Sequence, residues 1–181
     1  MKIIFIRHAL AEELGHGKPG LDELRRIVKP GATQTRHLAL ALARLRLRPD
    51  ILLTSPLVRA RETADVIMEN MKRCPEPLET DALTPEGSWA DLRHEIARHG
   101  VQLAGRKGDK EAVLFAVGHQ PNLSQMIMAA LGSDPHEIRM KKSACVGLSW
   151  NDDKPQGMAG IFLALDPALA KILVKTSAAG K

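Results

Sequence analysis

Lys2-Ile3-Ile4-Phe5-Ile6-Arg7-His8-Ala9 sets four consecutive apolar residues, mostly β-branched or aromatic, directly before an arginine and a histidine. Such a run reads as a short strand buried on both faces, the signature of a parallel sheet covered by helices. In open α/β sheets ligands collect beyond the carboxyl ends of the strands, so Arg7 and His8 stand where chemistry is expected. The blander reading is a strand leaving the core through a polar loop.

The same pattern occurs twice more. Asp50-Ile51-Leu52-Leu53-Thr54 ends at Ser55-Pro56, with Arg59 a few residues on, and Ala112-Val113-Leu114-Phe115-Ala116-Val117 ends at Gly118-His119-Gln120-Pro121-Asn122. Helical periodicity separates the strands. Leu38, Leu42 and Leu45 predict a helix from Thr33, its N-cap, to about Arg46. Ser55-Pro56 predicts a helix start, serine as N-cap and proline in the first turn, running to about Lys72. A short helix is expected over Leu21 to Ile27. Leu83 to Gly87 reads as a turn, Ser88-Trp89-Ala90-Asp91 as a capping box opening a helix toward Gly100, and Gly105 to Asp109 as a loop. Leu123, Ile127 and Ala130 mark a further helix, stopped at Gly132, and His136 falls in the loop after it. Cys145 to Trp150 and Gly157 to Leu165 predict an antiparallel pair, and Asp166-Pro167 a last helix through Val174. The expected fold is an α/β, three-layer αβα sandwich, with a mostly parallel central sheet and an antiparallel C-terminal strand. The chain is read as one domain over 1–181, with 74–111 as a short cap or insert over the site.

At 181 residues the chain is long enough to bury a core without metal or disulfide support. Cys74 and Cys145 lie far apart and form no metal-ligand spacing, so no metal and no cofactor are expected. The four-residue apolar run before Arg7 is too short for a signal peptide, and no stretch is long enough to span a membrane. A cytoplasmic protein without membrane contact is the expectation. The net charge of +5 suits an acidic partner, but the basic residues are scattered, tyrosine is absent and aromatic residues are few. No nucleic-acid partner is expected; a phosphorylated one fits as well. Arg139, Lys141 and Lys142 form a basic cluster, read as solvated charge or as a guide for an anionic substrate. His37, His94 and His99 read as surface residues. Oligomeric state has no signature in the sequence.

If the three strands are parallel neighbours, their ends bring two histidines and two arginines into one pocket. That set suits a phosphoryl group. Guanidinium presents planar, permanently charged forks matched to phosphate oxygens. A neutral imidazole, favoured over its cation by those charges, can attack phosphorus and carry the group covalently.

Arg7-His8, then Ser55-Pro56-Leu57-Val58-Arg59-Ala60 with Glu62-Thr63, then Gly118-His119-Gln120-Pro121-Asn122, resemble the signature of the histidine phosphatase superfamily, also called phosphoglycerate mutase-like. The short chain and Leu83-Thr84-Pro85-Glu86-Gly87 look most like its small, SixA-like phosphohistidine phosphatase branch. The resemblance implies a metal-independent phosphatase acting on a phosphorylated protein or a small phosphoester. His8 would be the nucleophile that becomes phosphohistidine. Arg7, Arg59 and His119 would hold the phosphoryl oxygens, with Arg25 as an accessory and Arg26 as the alternative to it. Glu86 is the candidate general acid by position, with Asp81 behind it. Two departures stand out: Ala9 where the family usually has glycine, and Ile27-Val28 in place of the usual Leu-Thr after Arg25. A mutase-type phosphotransferase and a non-catalytic phospho-ligand-binding module are the alternatives on this fold.

Overall fold

Strand β1 (Lys2–Arg7) is the hub of the sheet: it pairs in parallel with β4 (Val113–Gly118) on one side and antiparallel with β5 (Cys145–Ser149) on the other. The computed structural model describes residues 1–13, 22–99, 111–133, 138–151 and 159–176. Beyond β4 lie β2 (Ile51–Thr54) and the two-residue β3 (Leu78–Glu79), both parallel; beyond β5 lies β6 (Gly160–Leu165), antiparallel to it. The order is β3-β2-β4-β1-β5-β6, with β5 the strand that runs against the rest.

Period-two alternation decides which layer each side chain joins. Ile4 and Ile6 of β1, with Leu52, Phe115 and Val117, face α1 (Lys29–Arg44), α2 (Val58–Glu69) and α5 (Pro167–Thr176). Ile3 and Phe5, with Leu53, Leu114 and Ala116, face α3 (Trp89–Arg98) and α4 (Asn122–Ala130). All four β1 residues are fully buried, and each contributes about 1.5–3 kcal/mol relative to exposure. This is the expected αβα sandwich. Among the described residues no helix is long and apolar enough to cross a membrane.

Local corrections follow hydrogen bonds that the sequence hides. No helix forms over 22–27: Asp22–Leu24 make a turn, and Ile27 bridges antiparallel to Ala11. The amide donors there are engaged elsewhere, Arg26 N–H to Glu12 Oε2 and Ile27 N–H to Glu62 Oε2. Helix α1 starts at Lys29, four residues before Thr33, because Pro30 in its first turn is pre-organised for helix; Thr33 Oγ1 donates back to the Lys29 carbonyl instead of capping. Helix α2 starts at Val58, capped by Leu57, and ends at Glu69 rather than Lys72. Strand β3 and a 3₁₀ turn at Asp81–Leu83 were not expected; two residues are too few to carry a periodic signal. The Ser88 capping box is present in full, with Ser88 Oγ accepting from Asp91 N–H and Asp91 accepting from Ser88 N–H. The antiparallel pair forms with β6 beginning at Gly160; the expected loop at Gly105 to Asp109, His136 and residues 152–158 lie outside the described residues.

Candidate active site

Backbone hydrogen bonds bring the three strand ends together. His8 N–H donates to the Gly118 carbonyl and Ser55 N–H to the Val117 carbonyl, both at 3.0 Å, so the residues after β1 and β2 flank the end of β4. Behind them, Ser143 N–H donates to the Arg7 carbonyl at 3.1 Å, while Ser143 Oγ lies 3.0 Å from Thr35 Oγ1 of α1. Ser143 is buried with φ of 59°, a left-handed conformation that a non-glycine residue adopts at a cost of about 1–2 kcal/mol. The turn before β5 thereby braces β1 where it leaves the sheet.

His8 is 6% exposed. Its Nδ1 lies 2.8 Å from the Ala9 carbonyl oxygen, which only accepts, so Nδ1 carries the ring proton and Nε2 keeps its lone pair. Burial first and His119 second, with lesser contributions from the Arg59 and Arg7 charges, push the His8 pKa down to about 3, against an upward pull from the Ala9 bond. The ring is neutral at physiological pH. Ala9, in the usual glycine position, is fully buried, and its N–H donates to Thr63 Oγ1 at 2.9 Å. Its methyl group is accommodated because no left-handed backbone is required there.

The His119 ring centroid is 5.0 Å from that of His8. Its Nε2 is 2.9 Å from Ser55 Oγ, a hydroxyl that already accepts from Leu57 N–H. The other ring nitrogen, Nδ1, is buried without a hydrogen-bond partner. The Ser55–His119 bond also explains the late start of α2: Ser55 serves His119 rather than the helix. Burial first and Arg59 second lower the His119 pKa to about 4.

The arginines are held from behind. Arg7 donates from one terminal nitrogen to the Met140 carbonyl at 2.7 Å. Arg59, 4% exposed, donates to the Asp22 carbonyl at 2.6 Å and meets Asp22 Oδ2 at 3.0 Å. Arg25 meets Asp22 Oδ1 at 2.6 Å and donates to the Glu12 carbonyl at 3.0 Å. The Nε–H groups of Arg7, Arg25 and Arg59 are buried and have no acceptor. Such orphaned donors are rare in proteins, since each costs about 1–3 kcal/mol. Here three of them, with His119 Nδ1, belong to side chains that act on one another electrostatically around His8. Three buried guanidinium N–H groups with a buried imidazole among them fit a tetrahedral oxyanion.

Of the other sequence candidates, Arg25 faces this cluster, whereas Arg26 is exposed and paired with Glu62 at 2.6 Å. Glu86 and Asp81 are exposed and line a neighbouring cavity of about 870 Å³ that begins at Pro56. The structure does not bring them into the arginine–histidine cluster. Reading the sequence missed Asp22, the bridge between two arginines; its signal was an acidic residue three positions before Arg25. Lys142, from the basic cluster, is half-buried and feels Arg7, Arg25 and Arg59, which with burial lower its pKa. Lys141 instead pairs with Asp166 at 3.0 Å. Among the described residues no group of three or more His, Cys, Asp or Glu side chains is placed to hold a metal ion.

Comparison with known proteins bears on this geometry. The chain is 32% identical, over 82% of its length and 84% of the relative's, to an uncharacterized protein of Picosynechococcus sp.. It is 24% identical to the mitochondrial serine/threonine-protein phosphatase Pgam5 of Drosophila ananassae over 88% of this chain, which spans 61% of that relative's length. Its fold matches the structure of the protein histidine phosphatase SixA complexed with tungstate, with a TM-score of 0.76, 17% identity and coverage of 93% and 98% of the two chains. It also matches a putative phosphohistidine phosphatase SixA from Agrobacterium tumefaciens, at a TM-score of 0.68, 20% identity and coverage of 92% and 97%. The family model of the histidine phosphatase superfamily (branch 1) aligns with residues 3–111, a span that holds Arg7, His8, Asp22, Arg25 and Arg59. By its sequence, this chain belongs to the histidine phosphatase superfamily.

Proposed function

We propose that the protein is a phosphatase that works through a covalent phosphohistidine on His8, with a phosphorylated protein side chain or a small phosphoester as substrate. The observation supporting this most directly is a neutral, oriented His8 beside three buried guanidinium N–H groups without acceptors. His8 Nε2 attacks phosphorus, the bond from phosphorus to the leaving group breaks, and the leaving group takes a proton. Water then attacks the same phosphorus, the N–P bond breaks, and inorganic phosphate departs with the neutral ring restored. Arg7, Arg25, Arg59 and His119 stabilise the equatorial oxygens in both steps. Guanidinium charge already faces the site, so the cycle is proposed to need no metal. Glu86 is proposed as the acid for poor leaving groups, reaching from the neighbouring cavity, with Asp81 behind it.

The proposal treats the chain as one domain whose 74–111 segment, with β3, the 3₁₀ turn and α3, is a short insert beside an open site. A cytoplasmic setting is proposed because Cys74 and Cys145 are both free thiols. A pulse with a radiolabelled phosphodonor should leave acid-labile label on the protein, absent in His8→Ala. Turnover without any such label would overturn the covalent route; binding of phospho-ligand without turnover would favour a non-catalytic module.

A further inference from the structure

A second cavity, of about 820 Å³, lies between the first turns of α1 and α5, on the edge of the sheet that carries His8. Both helices follow strands that end at that edge, and Leu10, two residues past His8, forms part of its wall. Lys29, Lys141, Lys142 and Lys171 surround it together with His37, and no carboxylate lines it. Leu10, Pro30, Pro167 and Ala168 supply its apolar lining.

The charge is not neutralised locally. Lys141 is paired with Asp166, but Lys29, Lys142 and Lys171 make no ion pair among the described residues. Lys142 links the cavity to the catalytic cluster, since it is half-buried and Arg7, Arg25 and Arg59 all act on it, against an opposing pull from Glu13. At the far end His37 feels Lys171, Arg36 and Lys175. Positive charge therefore outweighs negative from His8 to α5. Lysines on a convex surface are ordinarily solvated and carry no message. Lysines ringing a concavity with an apolar lining recognise an anionic group on an organic body, because the lining takes the body and the ammonium groups take the charge.

We infer that this cavity is a specificity subsite for a second anionic group, carboxylate or phosphate, on the substrate whose phosphoryl group enters the His8 site. The inference rests on the phosphatase reading above and adds a substrate class to it: doubly anionic phosphoesters or acidic phosphoprotein segments, in preference to singly charged ones.

The test compares matched probes on the unchanged protein and on K29E/K171E. Both lysines are exposed, and a glutamate in the first turn of α1 suits the helix dipole, so the variant should fold. The probes are alkane bisphosphates against alkyl monophosphates of equal length, and a phosphopeptide flanked by glutamates against one flanked by glutamines. p-Nitrophenyl phosphate serves as the reference for basal turnover. The doubly anionic member of at least one pair should be favoured about tenfold in kcat/KM, as two weakly screened lysine contacts would provide. K29E/K171E should remove that preference while p-nitrophenyl phosphate turnover stays within about twofold, and raised salt should weaken it in parallel. The pair that responds identifies the source of the anion. No preference in the unchanged protein, or one that survives charge reversal, overturns the inference. Calorimetric binding of the corresponding alkyl phosphonates and bisphosphonates reads the same preference without turnover. Absence of any hydrolysis would therefore count against the phosphatase reading while the cavity was still decided.

Discussion

On either side of Ser55-Pro56 lie two concavities of opposite character. Ser55 Oγ reaches His119 and the buried cluster of His8, Arg7, Arg25 and Arg59, whose donors are fixed by backbone carbonyls and by Asp22. Pro56 opens the other, lined by Glu79, Asp81, Glu86, Asp91 and Glu95, whose lining carboxylates Asp81 and Glu86 are exposed. The proposed nucleophile and the arginines around it are built into the core; the candidate acid is exposed. An enzyme organised this way should depend heavily on the first region for every substrate, and on the second only when the leaving group is poor.

The most severe way to break the first region is His8→Ala, which should reduce kcat by about ten-thousandfold or more, as loss of a covalent nucleophile does elsewhere. Arg59→Ala should lower kcat by about a hundred- to a thousandfold, and Arg59→Lys should recover little, because one ammonium cannot hold Asp22 through two nitrogens and still present an Nε–H inward. Both are read by steady-state kinetics with p-nitrophenyl phosphate.

The buried histidines also make stability depend on pH. Their folded pKa values, about 3 and about 4, lie below the ordinary 6.5, so the unfolded chain binds more protons between those limits. The stabilisation is complete above about pH 6.5 and is lost as pH falls toward 4, by up to about 1.4 kcal/mol per pH unit for each histidine. Urea unfolding between pH 7 and 4.5 should show this slope, and removing either histidine should reduce it by about one proton's worth.

Asp22→Asn keeps the shape of the bridge and removes its charge. It should lower kcat/KM about tenfold by loosening Arg25 and Arg59. A rise in affinity for inorganic phosphate would instead show that Asp22 competes with the anion. The smallest effect sharpens the contrast between the regions: Glu86→Gln should slow alkyl phosphates by about tenfold and leave phosphohistidine hydrolysis within about twofold, since imidazole departs without strong acid assistance.

Much of this was legible before any coordinates. Apolar runs ending in Arg7-His8, Ser55-Pro56 and Gly118-His119 announced buried parallel strands whose ends meet, because a strand covered on both faces must be apolar throughout and its exit must be polar. The Ser88 capping box was equally local and equally readable. Illegible were the features that depend on partners distant in sequence. The segment before Ile27 gave up a helix because Glu12 and Glu62 hold its amides. The choice between Arg25 and Arg26 turned on Asp22 and Glu62, which no periodicity reveals.

Sequence alone therefore determined the layers of the sheet and which histidines and arginines stand at the strand ends, since burial and permanent charge are properties of residues. Tertiary structure decided which carbonyls and carboxylates hold the three arginines, and that four lysines from three separate stretches surround one cavity. Those depend on hydrogen-bond partners brought together across as many as 133 positions, as between Arg7 and Met140, and only the folded chain chooses them.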